Sequence, residues 1–179
     1  MTRLRQIVRI ASLLPLLAGV LLAGGCGYHF TGEGAGPRQG LKSIAIPVFE
    51  NKTSEPELGS LFAGVLRKEF LRKGGNIQVV SEEQADVVLR GRIMEIYTSA
   101  VAHRDVEQTI ESRLYLTLEV RVEDIRNGGV IWQDPHFTYH RVFRQSQDGM
   151  TGFDNRRQAI DLLAREMAVR IHDRFLSNF

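Results

Sequence analysis

Cysteine is almost absent: Cys26 is the only one in 179 residues. An internal disulfide is excluded, and with it the stapled frameworks of small secreted domains. Charge of one sign is lacking too. Arg3, Arg5 and Arg9 precede Cys26 and every acidic residue follows it, so the chain from Cys26 onward carries 20 basic against 21 acidic side chains. Nucleic-acid binding needs a basic field, so no nucleic-acid partner is expected. The isoelectric point near 8.9 reflects the leading arginines. The marks of catalysis are also missing: no Gly-x-Ser-x-Gly elbow, His-Glu-x-x-His pair or phosphate loop occurs. Gly32, Gly34 and Gly36 have the wrong spacing for phosphate, with Pro37 close behind and no strand before them. His136 and His140 would share a metal on a helix, but in a strand they stand about 13 Å apart. No enzyme activity, metal or cofactor is expected.

What is present begins with a segment built for export. The three early arginines are followed by an almost wholly apolar run, Ile10 to Leu22, and then by Ala23-Gly24-Gly25 before the cysteine. These are the charged, apolar and small-residue regions of a signal peptide. The run is shorter than the roughly 20 residues that span a bilayer. Small residues ending at a cysteine resemble a bacterial lipobox, which implies cleavage before Cys26 and diacylation of its sulfur. Two acyl chains anchor stably where one does not. Gly27, in place of Asp, points by the enterobacterial sorting rule to the outer membrane. The expected organisation is a signal peptide over residues 1–25, a lipidated N-terminus and flexible glycine-rich tether over 26–40, and one domain over 41–179.

Periodicity defines that domain. Ile44, Ile46 and Val48 alternate as a strand. Ser54 and Glu57 have capping-box spacing, and Pro56 suits a first helical turn. Leu58, Leu61, Phe62, Val65, Leu66 and Phe70 then recur at helical spacing until Gly74-Gly75. A strand over 77–80 completes a right-handed parallel crossover. Residues 85–101 form a long strand whose apolar phase shifts between Ile93 and Met94, the sign of a bulge. Leu114, Leu116, Leu118, Val120 and Val122 mark one buried face, with Tyr115, Thr117, Glu119 and Arg121 on a polar one. Asn127-Gly128-Gly129 turns the chain, and Pro135 places the last strand at an edge or breaks it. A helix capped by Thr151 or Asp154 buries Ile160, Leu163, Met167, Ile171 and Phe175. The predicted fold class is α+β, a two-layer sandwich with two helices packed on one face of a mixed four- to five-stranded sheet.

The segments "CGYHFTG", "LKSIAIPVFENKTSEPELG" and "ADVVLRGRI" resemble the LPS-assembly lipoprotein family LptE, as does the order of elements. The resemblance implies a non-catalytic outer-membrane lipoprotein on the periplasmic side, anchored by its lipid. It would plug and help assemble the large barrel LptD, which carries lipopolysaccharide to the outer leaflet. The alternative is another outer-membrane lipoprotein adaptor, one that activates a peptidoglycan synthase or serves a secretion channel.

A lipid A head carries phosphates, which the planar fork of arginine binds by two parallel hydrogen bonds. Arg104, in the loop between the long strands, is one candidate contact. Arg156 and Arg157 are the others, placed by the sequence in the first turn of the last helix. Backbone donors there favour an anion, while two cations oppose the helix dipole. Solvated arginines paired with Asp105 or Asp154 would look the same in sequence.

Overall fold

The computed structural model describes residues 41–73, 75–102, 110–146 and 148–177. The first strand, β1 (Ser43–Ala45), buries Ile44 and Ala45. Pro47 has no N–H to give a ladder, and the expected alternation fails there. Ile46 is buried, but Val48 is 59% exposed and Phe49 takes the inward place. Pairing resumes at β2 (Glu50–Asn51). One predicted strand is therefore two, and among the described residues the sheet has six strands rather than four or five. The Ile46 carbonyl, in this gap, accepts a hydrogen bond from Arg67 Nε at 2.8 Å.

Residues 51–57 depart from the capping box. Among the described residues no hydrogen bond joins Ser54 to Glu57. Instead Asn51 Oδ1 accepts from the Thr53 N–H and hydroxyl, and Asn51 Nδ2 donates to the Glu55 carbonyl at 2.7 Å. Glu57 has φ 63°, a left-handed conformation unusual for a side-chain-bearing residue. That reversal cuts Pro56 off from the helix, so α1 starts at Leu58 and runs to Lys73. Its inward stripe follows the predicted one: Leu58, Phe62, Val65, Leu66 and Phe70 are buried, while Leu61 is half-buried at its border.

The short β3 (Gln78–Val79) lies parallel to β1, as the crossover requires, and β1 lies parallel to β4 (Val87–Ala102). Asp86 clips this corner. Its carboxylate accepts from the backbone N–H groups of Lys42 and Ser43, both at 3.0 Å, and from Arg126 at 2.5 Å. Then β4, β5 (Ile110–Asp124) and β6 (Val130–Gln145) form an antiparallel meander. The sheet order is β3-β1-β4-β5-β6, with β2 pairing β4 beyond β1. The register of β4 shifts between Ile93 and Glu95, where the sequence phase shifts. Gly128, at φ 65°, turns β5 into β6. Pro135 sits on the edge strand, inside the bulge that separates the Leu118–Phe137 and Val120–Asp134 pairs.

The second helix, α2 (Gly149–Ser177), lies beside α1 and against β6. Its stripe from Ile160 to Phe175 is buried as predicted. Leu114, Leu116, Leu118, Val120 and Val122 are fully buried beneath the helices. Burial of each such side chain contributes about 1.5–3 kcal/mol. The result is the predicted α+β class, a two-layer sandwich.

Candidate functional site

The structure starts α2 earlier than the sequence suggests. Asp148 caps it, accepting hydrogen bonds from the Thr151 N–H at 3.1 Å and from the Thr151 hydroxyl. Thr151 and Asp154 are thus inside the helix. Arg156 and Arg157 stand two turns in, not in the first turn, so they neither oppose the N-terminal dipole nor share its free donors. Arg156 reaches across the domain to Glu55, 2.7 Å away. Among the described residues no ion pair joins it to Asp154, and Asp105 lies outside them. Arg157 is exposed and has no ion pair among the described residues. Arg104 and Cys26 lie outside the described residues, as does the segment 1–40.

Arg156 and Arg157 flank a cleft of about 540 Å³ between the loop before α1 and the front of α2. Pro56, Leu61, Ile160 and Phe153 supply its apolar wall. Phe153 is 58% exposed. The cleft is therefore amphipathic, apolar within and ringed by Arg156 and Arg157 together with Glu55, Glu57 and Asp161.

The sheet face away from the helices has two unlike halves. Toward β2 it is an ion-pair ladder. Arg92 bridges Glu50 at 2.5 Å and Glu119 at 2.8 Å, while Arg90 bridges Glu82 and Glu123. Arg121 completes it on Glu123. Lys52 and Arg92 together hold the Glu50 carboxyl down at about 2, from an ordinary 4.5. A depressed carboxyl stabilises the fold above its unfolded value and ceases to do so as pH falls through the folded one. Glu50→Gln should therefore flatten the loss of thermal stability between about pH 4.5 and 2. An acid limb identical to that of the unsubstituted protein would show the ladder contributes nothing there.

Toward the other end the same face turns aromatic. Tyr97 and Tyr115 stack at 4.8 Å with an interplanar angle of 9°, and His140 lies 5.3 Å from Tyr115. Thr117 and Thr138 share a hydrogen bond at 3.0 Å beside them. The predicted polar face of β5 is thus confirmed, and most of its members are already partnered. His136 and His140 sit on the exposed face of β6, and the described residues hold no cluster suited to a metal ion. No described helix is long and apolar enough to cross a membrane.

Sequence reasoning missed the wedge that holds this architecture. Phe49 stacks on Phe62 at 6.1 Å and fills the space over Gly91, where an added Cβ would meet its ring at 2.0 Å. At Gly59 a Cβ would lie 2.2 Å from the Phe49 carbonyl oxygen. A glycine inside a strand signals a close approach of this kind.

Helix pair and mixed sheet define the class: a small two-layer α+β domain. The fold recurs in XCC0632 from Xanthomonas campestris, with a TM-score of 0.51 at 12% identity, over 78% of this chain and 88% of that one. A minor lipoprotein from Acinetobacter baumannii gives 0.45 at 20%, covering 76% and 94%. Rare lipoprotein B from Shewanella oneidensis gives 0.43 at 19%, covering 76% and 92%. None of the curated proteins compared with the chain matches it. The family model LptE, lipopolysaccharide-assembly, matches residues 41–175. The chain belongs to that family.

Proposed function

We propose that this protein is an outer-membrane lipoprotein of lipopolysaccharide assembly, anchored through Cys26 and seated in an LptD-like barrel. The observation that carries the reading is family membership across residues 41–175. The sequence around Cys26 supports the anchor: a charged start, an apolar run and small residues before the one thiol. Signal peptide 1–25 and tether 26–40 would then leave the 41–179 domain free to meet the barrel on the periplasmic side. A barrel lumen is polar, which suits a compact domain with a paired, charged sheet face. Its role is that of scaffold and contact surface, without catalytic residues or cofactor.

Purification under mild detergent tests the partner. A co-purifying protein of outer-membrane barrel size supports the reading, whereas a penicillin-binding protein or a secretin would replace it with the adaptor alternative. Cys26→Ala should release the folded domain from the membrane, and acyl label persisting in that variant would refute the anchor.

The cleft beside α2 refines the lipopolysaccharide contact. With Arg156 tied to Glu55, the exposed Arg157 is the candidate for a phosphate among the described residues, and Arg104 stays a candidate on its sequence position. Reversing Arg104 and Arg157 to Glu should weaken lipopolysaccharide binding about tenfold, or about 1.4 kcal/mol. Fixed ionic strength is needed because exposed charges are screened by salt. Arg156→Glu should also lose stability, since it repels Glu55. Equal binding by the folded double variant would remove these residues from the contact.

A further inference from the structure

The long strand β6 forms one border of the sheet, with β5 on one side and no described strand on the other. One side-chain bond fixes which of its groups face outward. Asn155 Nδ2 donates to the Arg144 carbonyl at 2.9 Å, so Arg144 turns its backbone away from β5. In an antiparallel ladder a residue presents its N–H and C=O on the same side, and the side alternates along the strand. The register from Gln145 to Phe137 is unbroken. Thr138, His140 and Val142 therefore also point their backbone donors and acceptors outward.

Sheet edges are ordinarily protected by proline, by bulges or by a covering element. Here Pro135 and the neighbouring bulge protect the first half only. From Phe137 to Arg144 the edge is regular, and among the described residues Asn155 bonds its last carbonyl. An edge of this kind accepts an extended segment by main-chain hydrogen bonds, with flanking side chains selecting the sequence.

The flanking chemistry has a basic excess. His136 to Arg144 contains no carboxylate, and Arg141 and Arg144 lie within it. Arg170 and Arg174 of α2 stand over the rings of Tyr139 and Phe137, at 4.6 and 4.9 Å. Two carboxylates meet three of these arginines: Asp134 pairs with Arg174 at 2.7 Å, and Glu166 is shared by Arg170 at 2.8 Å and Arg141 at 3.7 Å. Glu111 faces Arg144 across the ladder. We propose that the outer edge of β6, from Thr138 to Arg144, receives an extended acidic segment of a partner protein as an added strand. A second copy of this chain would set two arginine-bearing edges against each other. The proposal stands independently of the lipopolysaccharide role.

The test uses the lipid-free chain from Gly27 onward in detergent-free buffer, once its folding is verified by melting, and a blocked octapeptide alternating Glu with Val and Thr. Hydrogen exchange should show the Thr138, His140 and Val142 amides slowed by the peptide, with little change at Tyr139 and Arg141. A Lys-for-Glu version of the peptide should not produce this. His140→Pro and Val142→Pro each remove an outward N–H that the ladder does not use, and should raise the Kd of the acidic peptide at least tenfold. Should either variant fail to fold, the exchange pattern in the unsubstituted protein still decides. Protection absent with the acidic peptide, equal with the Lys peptide, or already present because the chain dimerises through β6, would overturn the proposal.

Discussion

Leu118→Asp should leave the domain largely unfolded at room temperature. Leu118 is fully buried at the centre of β5, paired with Ile93 on one side and Phe137 on the other. The substitution deletes packing worth about 2–5 kcal/mol. It also buries a carboxyl within the apolar cluster, which costs several kcal/mol more even if the group takes up a proton. Domains of this size hold only about 5–15 kcal/mol in total. Thr117→Ala, one residue earlier, is the informative contrast. It faces the opposite side and gives up one exposed hydroxyl bond with Thr138, so the cost should be about 0.5–1.5 kcal/mol. Circular dichroism melts of the two variants decide the matter. Comparable losses would mean that the two faces of β5 are not as unlike as their burial indicates.

That contrast rests on a face that was legible in sequence, because strict alternation of branched side chains allows one strand phase. The stripes of α1 and α2 were legible for the same reason, and so was the bulge in β4. What failed were the places where a distant contact outweighs a local preference. Gly149-Met150-Thr151-Gly152 reads poorly as a helix, since each glycine costs about 1 kcal/mol there. The Asp148 cap, Asn155 on the Arg144 carbonyl and Arg156 on Glu55 nevertheless extend α2 through it. Two of those three partners belong to other elements, so no local pattern reports them. The same contacts carried Arg156 out of the first turn and into an ion pair, and left Arg157 exposed. The Ser54–Glu57 box failed differently. Its spacing is present, but Asn51 organises the loop first and Glu57 turns left-handed.

The wedge around Phe49 offers the second large effect. Gly91→Ala should destabilise the protein by about 1–3 kcal/mol, the range for overpacking a filled core. Three ring atoms of Phe49 lie 2.0–2.4 Å from where the new Cβ would be. The ring cannot simply swing aside. It is 3% exposed, stacked on Phe62, and its own backbone is held against α1 by the Phe49 N–H on the Gly59 carbonyl at 3.3 Å. Phe49→Ala alone should cost about 3–5 kcal/mol through the cavity it leaves. In the double variant the methyl at residue 91 enters that cavity instead of meeting a ring, so the two costs should fall short of their sum by about 1–3 kcal/mol. Denaturant unfolding of the four proteins in the cycle measures this. A sum that closes to within about 0.5 kcal/mol would mean that β4 yields at Gly91 without pressing on the ring. The coupling would instead make Phe49 the piece that joins β2, α1 and β4, and would give a physical reason for the "VFEN" stretch inside one of the segments that resemble the LptE family.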